Sequence, residues 1–393
     1  MNAMADDYPI SRHHYLAGVL ELLCRQLELT PAQYEDAAAK YGAVGRWLND
    51  GLLLARLVPE VFAQGSIRLG TAVRPLGRDE FDVDLVCWLV GGHDGLEPSL
   101  VMRLVGDRLR EHRTYRDMLE PKIRCWRLNY AGEFHMDITP AVANSRCSNG
   151  GLVVPDRELR DWSPTNPRGY ADWFDGQAAV QPAIEKGLRE GVRAGVEPLP
   201  DQIPFKNVLV RAVQLLKRHR DVWSQGRDSG TAPISIIVTT LAARTYVRAV
   251  ASRVHRSEFD LLLDVLHGMP RHVEIRNVGG RRRYFVWNPT TDGENFAEKW
   301  NRRPERADAF FAWSRAALDD FRRLSETSGM EAVREHLAGR FGERESGRAM
   351  RSVASAVRAA RESGHLRVAS GVGLTTGTLG ASVRAHTFYG GQG

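Results

Sequence analysis

The feature that most narrows the choice of fold is a change of hydrophobic period at Gln64. Upstream of it, apolar residues recur at helical spacing. From Ser66 onward the period is two. In "DEFDVDLVCWLV", Phe81, Val83 and Leu85 alternate with Asp82 and Asp84, and an unbroken apolar run follows. Alternation marks a strand with one buried face, and the apolar run marks a strand buried deep inside a sheet. A Gly-Ser turn, Gly65-Ser66, stands upstream of the Asp-x-Asp pair, so "QGSIRLGTAVRPLGRDEFDVDL" joins two features that one fold has to bring together.

Helical and strand-like segments are segregated along the rest of the chain, which predicts an α+β fold. The predicted helices are Ser11 to Leu29, Pro31 to Tyr41 behind an N-cap at Thr30, and Val44 to Val61 with a kink near Pro59. "SIRLGT" and "EFDVDLVCWLV" read as strands joined by the turn "RPLGRDE", and Glu97 to His112 reads as a helix. "KIRCWRLNYAGEFHMDITPAV" reads as a hairpin turning near Ala131-Gly132. "VPDRELRDWSPTNPRGYADWF" reads as a loop, rich in Pro, Asn and Asp. Long helices are predicted over Pro204 to Trp223 and Pro233 to Arg253, then a hairpin turning at Gly279-Gly280, then helices from Glu294 to about Ser363. There is no internal repeat. From Ser370 to Gly393 the chain is rich in Gly, Ser and Thr and has no acidic residue, a composition that predicts a disordered tail.

The 393 residues carry a net charge of +6 and a pI near 9.2, a mild bias toward anionic partners that many soluble enzymes share. Cys24, Cys87, Cys125 and Cys147 form no CxxC pair, which points to reduced thiols and a cytoplasmic setting and away from a zinc site. The first twenty residues do not read as a signal peptide, and no apolar run is long enough to cross a membrane.

The chemistry lies with the aspartates. On a strand, Asp82 and Asp84 project to the same side. Two neighbouring carboxylates repel, and a divalent cation between them relieves the repulsion. In "HMDITPAV", Asp137 shares a face with His135 and Thr139, and it completes a three-carboxylate cluster if its strand lies beside the first. Hard oxygen ligands suit Mg²⁺ or Mn²⁺, and such clusters support two-metal phosphoryl transfer. A glycine lets backbone approach phosphate, and a serine hydroxyl adds a donor. Acidic residues alternating on a strand are most often a solvated face. Here the buried run behind them and the Gly-Ser turn ahead of them weigh the other way.

With those residues in place, the chain resembles the bacterial CD-NTases, the cGAS/DncV-like nucleotidyltransferases of CBASS antiphage defence. The resemblance covers about Val61 to Trp300 and rests on "QGSIRLGTAVRP", "DEFDVDLV", "HMDITPAV", "LVRAVQLLKRHRD", "PISIIVTTLAA" and "NPTTDGENFAEKW", together with the aromatic loop quoted above. It implies a two-lobed polymerase-β-like α+β fold, with a mixed-sheet catalytic lobe (residues 1–200), a mainly helical C-terminal lobe (201–369) and a tail (370–393), and the active site in the cleft between the lobes. It implies synthesis of a cyclic di- or trinucleotide second messenger from NTPs. ATP is the expected substrate, with adenine in at least one position of the product, and two Mg²⁺ or Mn²⁺ ions are expected on Asp82, Asp84 and Asp137. It places Gln64, Gly65, Ser66, Lys217 and Ser235 at the nucleotide.

Several of these residues have plainer readings. Lys217 shares a polar helix side with Arg211, Gln214 and Arg218, which on spacing alone reads as a solvated face. The resemblance makes it the triphosphate-binding lysine. Ser235 reads either as a hydroxyl bonded to its own helix turn or, through the resemblance, as a phosphate contact. Asn166, Tyr170, Trp173 and Phe174 read as core joining the lobes, Asp292, Glu294 and Asn295 as a helix N-cap, Arg281 to Arg283 as solvated surface, and His13-His14 as solvated. The tail ends in "RAHTFYGGQG", similar to ubiquitin-like C-termini, so the resemblance implies an E1/E2-like conjugating partner, with a HORMA-type regulator as the competing arrangement and a separate effector for the product. The alternatives are an RNA-tailing or oligoadenylate-type nucleotidyltransferase, which needs a longer basic groove, and a non-catalytic nucleotide sensor, against which the intact aspartates stand.

Overall fold

The computed structural model describes residues 7–51, 56–77, 80–184 and 206–362, with short strands at 367–369, 373–375 and 381–382. In chain order the helices are α1 (Asp7–Leu27), α2 (Pro31–Asn49), the single turn α3 (Gly65–Arg68), α4 (Pro98–Glu111), α5 (Arg113–Met118), α6 (Pro167–Ala179), α7 (Val208–Ser224), α8 (Ser235–Ser252), α9 (Glu258–Gly268), α10 (Glu305–Glu326), α11 (Met330–Phe341) and α12 (Glu343–Glu362). The main sheet contains β1 (Pro59–Gln64), β2 (Phe81–His93), β3 (Leu119–Pro121), β4 (Trp126–Tyr130), β5 (Phe134–Ala143), β6 (Leu152–Asp156) and β7 (Asp161–Thr165). A separate hairpin is made by β8 (Glu274–Val278) and β9 (Arg281–Phe285).

The sheet runs β1-β2-β5-β4-β3, with β6 added to β5 and β7 to β6. β2 is antiparallel to β1 and parallel to β5, so the sheet is mixed. The alternation read in β2 holds: Phe81, Val83 and Leu85 are buried while Asp82 is exposed and Asp84 half-buried. The apolar face of β2, β4 and β5 meets Val101, Val105 and Leu109 of α4 and Val44 and Leu48 of α2. A larger core joins α1 and α6 to the helices of the C-terminal half, through Leu16, Leu23, Phe174, Leu216, Leu241, Phe310 and Trp313. The expected lobe boundary at 200/201 lies outside the described residues. α1 and α6, from the first 200 residues, pack into the larger, helical core.

Several elements differ from the sequence reading. Thr30 caps α2 as expected, with Thr30 Oγ1 accepting from Gln33 N at 3.2 Å and Gln33 Oε1 accepting from Thr30 N at 3.0 Å. The helix then continues past Tyr41 to Asn49. Pro59 kinks no helix. It opens β1, and proline is tolerated there because β1 is an edge strand. "SIRLGT" is not a strand, because Gly65 at φ +63° turns the chain into the helical turn α3. The expected loop from Val154 to Phe174 is the β6–β7 hairpin followed by α6, whose cap is Asn166 Oδ1 accepting from Gly169 N at 3.0 Å. Its prolines fit a sheet because Pro164 lies on the edge strand β7, and Pro155 lies beyond the stretch of β6 that pairs with β5.

The hairpin at Gly279-Gly280 forms as read. Helix does not resume at Glu294 but at Glu305, after a short 3₁₀ turn over Glu298–Asn301. Within the tail expected to be disordered, Gly373–Thr375 and Ala381–Ser382 pair with Arg367–Ala369 in a small sheet. The rest of the tail, including "RAHTFYGGQG", lies outside the described residues. All four cysteines are free thiols, as the composition implied.

Candidate active site

The two strands carrying the aspartates are neighbours, and their register puts Asp84 opposite Asp137. On the other side of β2, Gln64 of β1 is paired with Asp84. Three strands therefore present Gln64, Asp84 and Asp137 in one row across the sheet. Asp82 lies two residues along β2, opposite His135. Its side chain is 56% exposed, whereas that of Asp137 is 16% exposed. Burial, and then the charges of Asp82 and Asp137, push the Asp84 carboxyl up to about 7. Desolvation of Asp84 leads, and repulsion from the neighbouring carboxylates adds to it.

Gly65 follows Gln64 at the end of β1 and is pressed against Asp84. A Cβ built on Gly65 would stand 3.0 Å from Asp84 Cγ and closer still to Oδ2. No other residue type fits at this left-handed position without displacing the carboxylate. Ser66 lies in the turn that follows, and its backbone carbonyl accepts from Thr71 N at 2.9 Å.

The helical side contributes α7. Lys217 is buried, 4% exposed, and its Nζ donates to Thr71 O at 2.8 Å. Burial, and then the charge of Arg220, lower its pKa to about 8, while Asp221, Asp84 and Asp82 oppose the shift. The polar side read on this helix is no solvated face: Arg211, Gln214, Lys217 and Arg218 are all buried. α7 runs through the interface between its own core and the loop after the Gly-Ser turn. Ser235 opens α8, and its Oγ accepts from Arg220 Nη1 at 2.9 Å, so it is tied to α7 and not to its own turn.

Gln64, Gly65 and Asp84 line a cavity of about 410 Å³ together with Tyr170, Ile234 and Glu294. Asp137 and Arg127 line an adjoining cavity of about 450 Å³. Arg124, Glu298 and Lys299 line both. Ser66, Asp82, Lys217 and Ser235 are not among the lining residues of either. A third cavity, about 460 Å³ between α7, α10 and α11, is lined by none of these site residues. Tyr170 and Phe174 are core, as read, and Tyr170 Oη shares a 2.8 Å hydrogen bond with Thr240 Oγ1. The N-cap reading of Asp292 to Asn295 fails: Asn295 Oδ1 accepts from Val286 N and Ala297 N, each at 2.9 Å, and pins a loop. Within that loop Glu294 is half-buried, and desolvation pushes its carboxyl up to about 7.

The residue sequence reasoning missed is Arg127. It stands opposite Asp137 on β4 and grips it with two hydrogen bonds, Nε to Oδ1 at 2.6 Å and Nη2 to Oδ2 at 2.8 Å. Nη2 also reaches Asp82 Oδ1 at 3.3 Å. The signal was present: in "WRLNY", Trp126 and Leu128 point to the core, so Arg127 has to share the face of Asp137. As the side chains stand, no three His, Cys, Asp or Glu groups among the described residues converge as metal ligands. Arg127 occupies both carboxylate oxygens of Asp137. The donor set still suits a hard divalent cation: three carboxylates on one face, with a basic side chain already drawn to two of them.

A sheet bearing this aspartate row beneath a helical lobe, with a Gly-Ser turn at its edge and a buried lysine opposite, defines a nucleotidyltransferase. Residues 16–177 match the Second Messenger Oligonucleotide or Dinucleotide Synthetase domain. A c-di-GMP synthase of Roseivirga ehrenbergii is 28% identical over 95% of this chain and 97% of its own length. The cyclic dinucleotide synthase CdnG of Bradyrhizobium diazoefficiens is 25% identical over 95% of this chain and 94% of its own. The structure of CdnG in complex with GTP superposes with a TM-score of 0.62 at 22% identity, covering 86% of this chain and 99% of that one. That of Escherichia coli CdnC with a HORMA partner superposes with a TM-score of 0.55 at 14% identity, covering 80% and 93%. Over nearly its whole length the chain is similar to the CD-NTases. Among the described residues, no helix is long and apolar enough to cross a membrane.

Proposed function

We propose that this enzyme joins two nucleoside triphosphates into a cyclic dinucleotide, with GTP as substrate. The observation that carries the reading is the row Gln64, Asp84, Asp137 across three neighbouring strands, with Gly65 packed on Asp84. The choice of guanine over the adenine first expected rests on the likeness to a c-di-GMP synthase along nearly the whole chain.

Asp82, Asp84 and Asp137 would hold two Mg²⁺ or Mn²⁺ ions, which neutralise triphosphate charge and acidify a ribose hydroxyl. Arg127 gives up Asp137 in that state and keeps its place beside the reacting phosphates as a cation. The backbone at Gly65 and the hydroxyl of Ser66 cradle the phosphates, and Lys217 adds a compact positive charge from the helical side. Gln64 contacts the nucleotide from the cleft wall, and Ser235 supports it through Arg220. A ribose hydroxyl of one nucleotide attacks the α-phosphorus of the other, the bond to the β-phosphate breaks, and pyrophosphate leaves. A second such attack within the linear product closes the ring.

The test is Asp82→Ala with Asp84→Ala, assayed with the four labelled NTPs and Mn²⁺. The wild-type enzyme yields a small phosphatase-resistant product and the double variant none. Product from the double variant refutes the assignment. Long ladders from the wild-type enzyme would favour an RNA-tailing activity, and absence of turnover a sensor. The wider setting, antiphage signalling with a HORMA-type regulator or an E1/E2-like partner at the tail, is a proposal that rests on the family.

A further inference from the structure

Three side chains of α7, spaced i, i+3 and i+4, are spent on the backbone of one short loop. Gln214 Nε2 donates to Ala72 O at 3.0 Å, Lys217 Nζ to Thr71 O at 2.8 Å, and Arg218 Nη2 to Arg74 O at 2.5 Å. Gln214 and Arg218 are fully buried, at 0% exposure. They remain incompletely satisfied there: Gln214 Oε1 and Arg218 Nε and Nη1 have no hydrogen-bond partner among the described residues. Burying an amide and a guanidinium with unpaired atoms is unfavourable, and an apolar pair would fill the same space without that cost. The loop is also held from the opposite side, where Arg74 N donates to Leu27 O at 2.6 Å and Arg74 Nη2 to Glu28 O at 2.9 Å.

The loop is one bond from the Gly-Ser turn, because Thr71 N donates to Ser66 O at 2.9 Å. Its carbonyl at Thr71 is also what holds Lys217. A shift of loop 71–74 therefore moves both halves of the phosphate grip at once. We propose that Gln214 and Arg218 are positioning residues for the triphosphate. They fix the loop so that Ser66 and Lys217 face the same phosphates, and they touch no substrate themselves. The buried acid Glu345 of α12, whose charge acts on both Arg74 and Arg218, extends this clamp to the C-terminal helix.

This inference rests on the reading of Ser66 and Lys217 as phosphate contacts, and the experiment separates the two. Binding of guanosine and of a GTP analogue with a methylene between the α and β phosphates is measured by calorimetry on the full chain. If the wild-type protein binds the analogue no better than guanosine, the phosphate reading fails and the inference falls with it. Given a wild-type preference, Arg218→Met is expected to weaken the analogue about tenfold and leave guanosine within about twofold, with KM rising more than kcat falls. Arg218→Lys is expected to recover most of the loss. Gln214→Leu, which breaks a single hydrogen bond, is read in the same way and stands in if Arg218→Met does not fold. Unchanged analogue affinity in the folded variants, or equal loss for guanosine and analogue, overturns the proposal.

Discussion

Gly65→Ala separates backbone strain from damage to the site. The substitution places a side chain at φ +63°, where an L-residue costs about 1–2 kcal/mol. It also builds a Cβ 3.0 Å from Asp84 Cγ, when carbon atoms settle at about 3.5–4.0 Å. The contact with Oδ2 is tighter, so the carboxylate has to retreat by about an ångström, and a misplacement of that size costs about 100-fold in rate. Gly77→Ala is the control. It sits at φ +64° with nothing within 4 Å of its Cβ, so it carries the strain without the clash. Both variants are expected to melt at most about 2–4 °C lower per kcal/mol lost. Only Gly65→Ala is expected to lose turnover of labelled GTP, by about two orders of magnitude. Turnover of Gly65→Ala within about threefold of Gly77→Ala would refute the placement of Asp84 at the reaction centre.

Lys217 is expected to set the alkaline limb of activity. Its pKa near 8 means that kcat/KM should fall as pH rises through 8, with Lys217→Arg moving the limb upward. The sign for stability is opposite: the folded value lies below the ordinary 10.5, so the folded chain binds fewer protons and the free protein gains stability between about pH 8 and 10.5. Melting curves across that range check it. Arg127→Met removes the cation that competes for Asp137, so half-maximal activity should need several-fold less Mg²⁺ in a titration from chelator-treated protein, and an increased requirement would show that Arg127 does not compete. Phe174→Ala empties a fully buried position in the larger core and should cost about 3–5 kcal/mol in urea unfolding.

What was legible in the sequence was what alternation encodes. Asp82, Asp84 and Asp137 were readable because each sits between core residues on a strand, and the faces followed from period two. That the strands are neighbours, with Asp84 level with Asp137, was not readable, since register between residues so far apart in the chain is set by the whole sheet. The loop from Val154 to Phe174 was misread because its prolines signal breaks, and only the topology shows that they stand where no hydrogen bond is asked of them. α7 was misread for the opposite reason. A run such as "KRHRD" looks solvated until a partner loop offers carbonyls to Lys217 and Arg218. Arg127 was within reach of the same alternation that gave the aspartates.

The division of the cores bears on how the site works. α2 packs on the sheet while α1, joined to it through the Thr30 cap, packs with the helical core. The end of α1 then accepts the backbone amide of Arg74, and α7 takes the carbonyls of the same loop. The proposed phosphate grip thus draws on residues from both cores. Gly65, Asp84 and Asp137 are fixed by the sheet, and Lys217 and Ser235 by the helices. A change that leaves each core intact but loosens their contact should therefore weaken triphosphate binding while each set of residues keeps its internal geometry. Residues far from the cleft, at the junction of α1 with the loop after the Gly-Ser turn, belong to the determinants of KM on this account.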